Sequence, residues 1–355
     1  MSELLNDELN LNLLENLCSG VGVSVNISKL ARDLRKHRNT IKEEVRNLFE
    51  HRIVNPPVYP FSYLYEEYPL IVVARADFPR DKRTENFIVN DKHIFAAYHI
   101  RDEEYNTFLI EFHKDMHIYQ MWKDSIIREK KITHTETRHP THTWLLSGKL
   151  IIKYKPYDPI YVMEKEFKER GSLELNGYDF RELSFQILKK MLLGDAIRTN
   201  EHLLAEKLNV HRRTIERRIS EFLKKKIILN HCCRFPNFFV PPEYILVFSL
   251  LEIKSSKSEI LKAIGLDPHI TLAFVVGAGR YNVVIFGAFS TVEEHFRWEE
   301  EYDSSFPNCL GATKKVYLFP KMAYPIDQQK VSLGIILQKK AELHGMRLRE
   351  RMKVA

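Results

Sequence analysis

Two stretches decide the reading: residues 30–54, LARDLRKHRNTIKEEVRNLFEHRIV, and residues 204–228, LAEKLNVHRRTIERRISEFLKKKII. Shifted by 174 positions, Leu30, Ala31, Leu34, His37, Arg38, Thr40, Ile41 and Ile53 fall on Leu204, Ala205, Leu208, His211, Arg212, Thr214, Ile215 and Ile227. Downstream the echo continues at a shift of 176. It pairs Tyr68 with Tyr244, His93-Ile94 with His269-Ile270, Tyr105-Asn106 with Tyr281-Asn282, and Trp122 with Trp298. Solenoid repeats recur every ~20–50 residues. A match at half the chain length instead means two copies of one two-part module, so the function of one copy is the expected function of the protein.

Each copy opens with the pattern of a three-helix reader. In the first, Leu9, Leu11, Leu13, Leu14 and Leu17 supply a first helix that Ser19-Gly20 ends. Asn26 or Ser28 caps a short second helix with Leu30, Ala31 and Leu34 on one face, and a tight turn at Lys36-His37 leads into a third. In the third helix Ile41, Val45, Leu48 and Phe49 recur at i, i+4, i+7 and i+8, a single apolar stripe. The second copy repeats this plan with Leu183, Ile187, Leu188 and Met191, then Leu204, Ala205 and Leu208, then Ile215, Ile219, Phe222 and Leu223. Apolar, β-rich segments follow both third helices, as a wing would, at 53–65 and 227–240.

A short helix, a tight turn and a longer helix form a helix-turn-helix, whose last helix offers its first residues to the major groove. Opposite the apolar stripe stand Arg38, Asn39, Lys42 and Arg46 in one copy and Arg212, Arg213 and Arg217 in the other. Arg and Lys suit guanine edges and phosphates, and Asn suits adenine. His37 and His211 fall at the helix starts, where a ring nitrogen either caps or meets a phosphate. Double-stranded DNA is the expected partner.

Charge placement agrees. The chain of 355 residues has a net charge of +7. Residues 35–52 carry six Lys/Arg against three Glu, residues 207–226 eight against two, and residues 339–353 six against two acidic residues. The positive charge is thus concentrated in three short segments and the remainder is acidic on balance, a distribution that attracts a polyanion. No apolar run approaches the ~20 residues that span a bilayer. Four cysteines without a CxxC pair suggest no disulfide framework. The chain reads as cytoplasmic and nucleoid-associated, with no membrane partner and no cofactor.

Behind each reader comes a different alternation. In the second copy YILVFSLLEI is a strand, SKSEILKAIGL a helix, TLAFVVGAG and YNVVIFGAF strands, STVEEHFRWEEEYDSSF a helix and GATKKVYLFP a strand, giving β-α-β-β-α-β. The first copy follows with LIVVARAD, a weak helix near 83–87, HIFAAYHI, YNTFLIEF, KDMHIYQMWKDSII and KKITHTET. In this order of parts, and in the segment VVGAGRYNVVIFGAFSTVEEHFRW, the chain resembles the Lrp/AsnC family of transcription regulators. That resemblance implies an α+β fold: two winged helix-turn-helix units, each followed by a ferredoxin-like βαββαβ sensor, with a basic C-terminal helix. The expected division is 1–65 reader, 66–138 sensor, 139–178 an ordered connector outside the duplication, 179–240 reader, 241–322 sensor, and 323–355 the terminal helix.

The resemblance also implies a small effector such as an amino acid near Gly277, Gly279, Tyr281 and Asn282, although Asn282 stands where the family usually has aspartate. It further implies sensor pairing, here within one chain or between two chains as a homodimer. Because the readers differ (Asn39 and Lys42 against Arg213 and Glu216), an asymmetric operator is expected. The leading expectation is a sequence-specific DNA-binding regulator without catalysis, and a non-specific architectural DNA binder is a variant of it. The alternative is an enzyme: siroheme decarboxylases are similar in build, and His99, Arg101, His113 and His117 would then line a tetrapyrrole carboxylate site. The HxxxH spacing of His113 and His117 suits zinc only on a helix and lacks an acidic third ligand, so no metal site is assigned.

Overall fold

The computed structural model describes residues 2–59, 61–62, 64–101, 105–126, 151–229, 232–276 and 280–354. The first reader comprises α1 (Ser2–Leu5), α2 (Glu8–Cys18), β1 (Val23–Val25), α3 (Ile27–Asp33), α4 (Arg38–Glu50) and β2 (Asn55–Val58), with α5 (Leu64–Glu67) behind it. Asp7 and Asn26 start α2 and α3 by accepting from the N–H groups of Asn10 and Lys29 at 2.8 and 3.0 Å. The first sensor is β3 (Leu70–Ala76), α6 (Lys82–Asn90), β4 (Ile94–His99), β5 (Thr107–His113) and α7 (Met116–Asp124), its strands antiparallel in the order β3-β5-β4. The strand expected at 130–137 lies outside the described residues.

Then come β6 (Ile151–Tyr154), α8 (Pro159–Arg170), β7 (Leu173–Leu175) and β8 (Tyr178–Phe180). The second reader is α9 (Glu182–Leu192), β9 (Ile197–Thr199), α10 (Glu201–Lys207), α11 (Arg212–Lys224), β10 (Cys232–Arg234) and the short turn α12 (Pro236–Phe239). The second sensor is β11 (Ile245–Ile253), α13 (Lys257–Leu266), β12 (Ile270–Val275), β13 (Val283–Phe289), α14 (Val292–Ser305) and β14 (Leu310–Leu318), and α15 (Gln329–Val354) ends the chain. Its sheet runs β14-β11-β13-β12-β6, the ferredoxin-like order with one strand added. The fold is α+β, a winged helix-turn-helix and a ferredoxin-like sensor given twice, with a C-terminal helix.

The two copies form one body because their elements pair across the duplication. Both sheets turn an apolar face inward, where Phe108 meets Phe248 at 5.6 Å and Phe95 meets Phe238 at 5.5 Å. Each sheet's other face is covered by its own helices. Between the readers, β1 pairs antiparallel with β9, Ser24 opposite Arg198, and Gly22 lets Leu204 lie so close that a Cβ would stand 2.5 Å from it. The segments expected to form wings pair with each other, β2 against β10, instead of folding as separate hairpins. An unpaired strand edge is costly to leave bare, and in a fused pair each copy's edge is the nearest partner for the other's.

Of the connector expected at 139–178, residues 151–178 join the pairing between copies, and 139–150 lie outside the described residues. After the first sensor β6 adds to β12, the edge of the second sheet, and α8 then packs on α9, with Phe167 stacked on Phe185 at 4.9 Å and Glu164 paired to Lys189 at 2.7 Å. After the second sensor, Ala323 bridges Tyr98 on β4, the edge of the first sheet, and the Tyr324 N–H donates to the Ala97 carbonyl at 2.9 Å. Helix α15 then packs on α2, where Lys340 meets Glu15 at 2.7 Å. Tyr68 donates to Gln338, and its counterpart Tyr244 donates to Glu166. The first copy therefore ends in a strand and a helix that complete the second, and the second ends in a single bridge and a helix that complete the first.

Candidate nucleic-acid interface

Helix α4 buries Ile41, Val45 and Leu48; helix α11 buries Ile215, Ile219 and Phe222. The stripe fixes rotation, so the opposite faces look to solvent. His37, Arg38, Asn39, Lys42 and Arg46 are exposed on one, and His211, Arg212, Arg213 and Arg217 on the other. The turn before each helix is the same structure twice. The N–H of Lys36 donates to Ala31 and that of Val210 to Ala205, both at 2.9 Å, around left-handed Arg35 (φ 50°) and Asn209 (φ 51°). Both histidines take the capping role. The His37 Nδ1 accepts from the Asn39 N–H at 3.3 Å and the His211 Nδ1 from the Arg213 N–H at 3.2 Å, which requires each ring to present an unprotonated Nδ1.

The cations differ in how far they are already satisfied. Arg46 pairs with Glu43 at 2.8 Å and Glu50 at 3.5 Å; Arg212 pairs with Glu216 at 2.9 Å and Glu201 at 3.8 Å; Arg217 reaches Glu221 at 4.0 Å. Arg38, Lys42 and Arg213 have no ion pair among the described residues. Exposed pairs of this kind contribute only ~0–1 kcal/mol, so a phosphate can displace them. Behind the faces each third helix touches the other copy's first helix. Glu44 accepts from Ser184 at 2.9 Å, and Arg218, its counterpart, reaches Asp7 at 3.9 Å.

The four residues of the tetrapyrrole alternative do not converge. His113 is wholly buried at the end of β5, His117 is exposed at the start of α7, His99 lies tilted against Tyr324 at 4.2 Å, and Arg101 is exposed. His113 and His117 therefore form no chelate; His134, His139 and His142 lie outside the described residues. Among the described residues no group of three His, Cys, Asp or Glu side chains is placed to hold a metal ion. What His113 does have is a buried partner missed at the sequence level. Its Nε2 lies 3.0 Å from Glu111 Oε2, with both side chains at 0% exposure, and its ring stacks on His93 at 4.5 Å. The signal was legible as period two: Leu109, Glu111 and His113 share one face of a strand that is otherwise apolar but for Thr107. Burial pushes the Glu111 carboxyl well up, the His93 imidazole down to about 4 and His113 down to about 3.

The second sensor builds the same corner differently. Asp91 and Asp267 each accept from a tryptophan, Trp122 at 3.0 Å and Trp298 at 2.6 Å, and each accepts from the N–H of the histidine two residues on. Where the first copy has Glu111 and His113, the second has Gly287 and Phe289, and Phe289 stacks on His269. Burial lowers the basicity of His269, but Asp267 at 3.1 Å and Glu294 at 3.4 Å outweigh it and raise the imidazole to about 9.

Of the effector candidates, Gly277 and Gly279 lie outside the described residues. Tyr281 is partly buried against the central core, and Asn282 has its side chain committed to the backbone of Ile253, accepting its N–H at 2.9 Å and donating to its carbonyl at 2.8 Å. Asn106 brackets Phe78 in the same way at 3.1 and 2.7 Å. The Tyr-Asn echo thus marks a repeated strand clasp. No helix among the described residues is long and apolar enough to cross a membrane.

No protein-family model matches the chain, and no curated protein does. Among solved structures, that of the siroheme decarboxylase NirDL aligns over 94% of this chain and 99% of its own, at 11% identity and a TM-score of 0.46. AsnC of E. coli aligns over 37% of this chain and 87% of its own, at 19% identity and a TM-score of 0.27. An AsnC-family transcriptional regulatory protein of Pyrococcus furiosus aligns over 37% and 85%, at 19% identity and a TM-score of 0.25. The expectation of a protein without catalysis is corrected here: the alignments over 94% of this chain and, for the co-complex, 88% are with the siroheme decarboxylase NirDL, an enzyme.

Proposed function

We propose that the chain binds double-stranded DNA as a transcription regulator of Lrp/AsnC type, presenting two helix-turn-helix units to two unlike half-sites. One observation carries this reading. The two basic faces, Arg38, Asn39, Lys42 and Arg46 on one helix and Arg212, Arg213 and Arg217 on the other, are both exposed, and the β1–β9 and β2–β10 ladders hold their helices in one body. Neutralising phosphates releases counterions, so affinity for duplex should fall steeply with salt. Selection of bound genomic fragments followed by fluorescence anisotropy over a salt series tests it. A specific site bound more tightly than random duplex by a factor of roughly 10³ or more supports the regulator. Uniform binding of any duplex supports the architectural variant, and no binding at low salt removes both.

A second reading, a siroheme-decarboxylase-like tetrapyrrole enzyme on the same scaffold, is favoured by the Glu111–His113 pair. An acid–base pair held dry in one sensor and absent from the other is costly in a core, and perturbed titratable groups of this kind concentrate at functional sites. Mixing the protein with a tetrapyrrole tests it. An unchanged absorption spectrum together with no carbon dioxide release removes the enzyme; release that is lost in His113→Phe supports it.

A further inference from the structure

Where the two wings meet, a cavity of about 780 Å³ opens between the copies. The first reader contributes the end of α2 and the residues after α4, the second contributes the chain leaving β10, and the segment entering α15 closes the third side. A volume of this size is that of a small-molecule site, typically ~300–1,000 Å³. Its walls are mixed: Pro56, Pro236, Pro242 and Pro325 give stiff apolar patches, and the carboxylates of Glu243 and Asp327 stand among the polar ones, each beside a cation.

Set into these walls are polar groups with unused capacity. Arg234 is 7% exposed; it donates through Nη1 to Gln328 at 3.2 Å and through Nη2 to Asp327 at 3.3 Å, while its Nε–H is buried with no acceptor among the described residues. Gln329, 6% exposed, leaves its side-chain oxygen equally unpaired, while its backbone N–H is held by Asp327 at 3.0 Å. A buried donor without a partner costs ~1–3 kcal/mol. At the rim Lys321 is matched by Glu243 at 2.7 Å, whereas exposed Arg52 has no ion pair among the described residues. The backbone beside Arg234 is strained too. Asn237, Phe238 and Phe239 have φ of +52°, +65° and +67°, the first of them in the cavity wall. Such strain persists only where surroundings enforce it and gathers at ligand clamps. Here Tyr98 donates to the Asn237 carbonyl at 3.2 Å and Asn237 to the Pro320 carbonyl at 3.3 Å.

We infer that this cavity binds a small organic acid, its carboxylate taken by Arg52 and, through a side-chain shift that uncovers it, by the buried Arg234 Nε–H, with its apolar body laid against the prolines. A ligand seated there touches both copies and so stiffens the wing ladder. The inference is independent of the DNA-binding and enzymatic readings, which use other residues.

Calorimetric titration of the full chain with phenylacetate, hexanoate and succinate tests it, with phenylacetamide as the uncharged isostere and inorganic phosphate as the bare anion. The expected result is saturable binding of a carboxylate at one site per chain and affinity for the amide at least tenfold weaker. Arg52→Ala should weaken carboxylate binding by tenfold or more without moving the melting temperature, since Arg52 is exposed, and Arg234→Lys should weaken it similarly; each removes one charge-assisted bond. The inference is overturned if none of the three acids binds, if the amide or phosphate binds as well as the acids, or if Arg52→Ala leaves affinity unchanged. A crystal structure grown with phenylacetate that shows only water at Arg234 Nε and Gln329 would overturn it as well.

Discussion

At the scale of single residues the duplication acts as its own control. Arg35 and Asn209 hold the same left-handed turn, and asparagine tolerates that conformation better than a long side chain does. Arg35→Asn should therefore stabilise the protein by about 0.5–1 kcal/mol, measured by chemical denaturation. His93 and His269 occupy equivalent corners with opposite environments. A raised imidazole, His269 at about 9, stabilises the fold fully below its unfolded value of 6.5 and loses that contribution as pH climbs through 9, roughly 3 kcal/mol in all. Depressed imidazoles, His93 at about 4 and His113 at about 3, act in reverse: stability falls as pH drops from 6.5 toward 4, because the unfolded chain takes up protons the folded one refuses. Melting temperature against pH should consequently decline on both sides of neutrality. His269→Gln should flatten the alkaline limb, and the pair Glu111→Gly with His113→Phe, which copies the second sensor, should flatten the acid limb. On the reader faces, Lys42→Ala or Arg213→Ala should weaken duplex binding and reduce the salt slope by about one each, if each meets a phosphate.

At the scale of elements, the helices and strands within each copy were legible and the pairings between copies were not. The stripe Ile41, Val45, Leu48 located α4, and the alternation from residue 244 to residue 320 located every element of the second sensor, because those signals are local periodicities. The β1–β9 and β2–β10 ladders escaped because backbone pairing is tolerant of sequence, and the exchange of exit segments escaped because the helices DPIYVMEKEFKER and QQKVSLGIILQKK perform the same task with little in common. Arg234 was also overlooked, although a lone arginine in the apolar run 227–240 was the available signal. Gly22 makes the cross-copy ladder testable. A branched side chain there would press on Leu204, so Gly22→Val should cost about 1–3 kcal/mol of stability, read by thermal or urea unfolding.

At the scale of the whole molecule, one chain replaces two. If both faces engage one duplex, binding the second half-site becomes intramolecular, and a duplex carrying both half-sites should bind roughly 10²–10⁴-fold more tightly than one carrying either. Competition between such duplexes measures this directly, and equal affinities would mean that only one reader engages. The exchange of exit segments has a further consequence for how the molecule is made. The leucine-rich helix α2 near the start is covered by α15, which leaves the ribosome hundreds of residues later. Throughout synthesis the first reader must therefore wait with an oily flank bare. Premature stops before Gln329 should yield sticky, protease-sensitive products, whereas the back half, supplied early with its own cover by α8, can settle as it emerges.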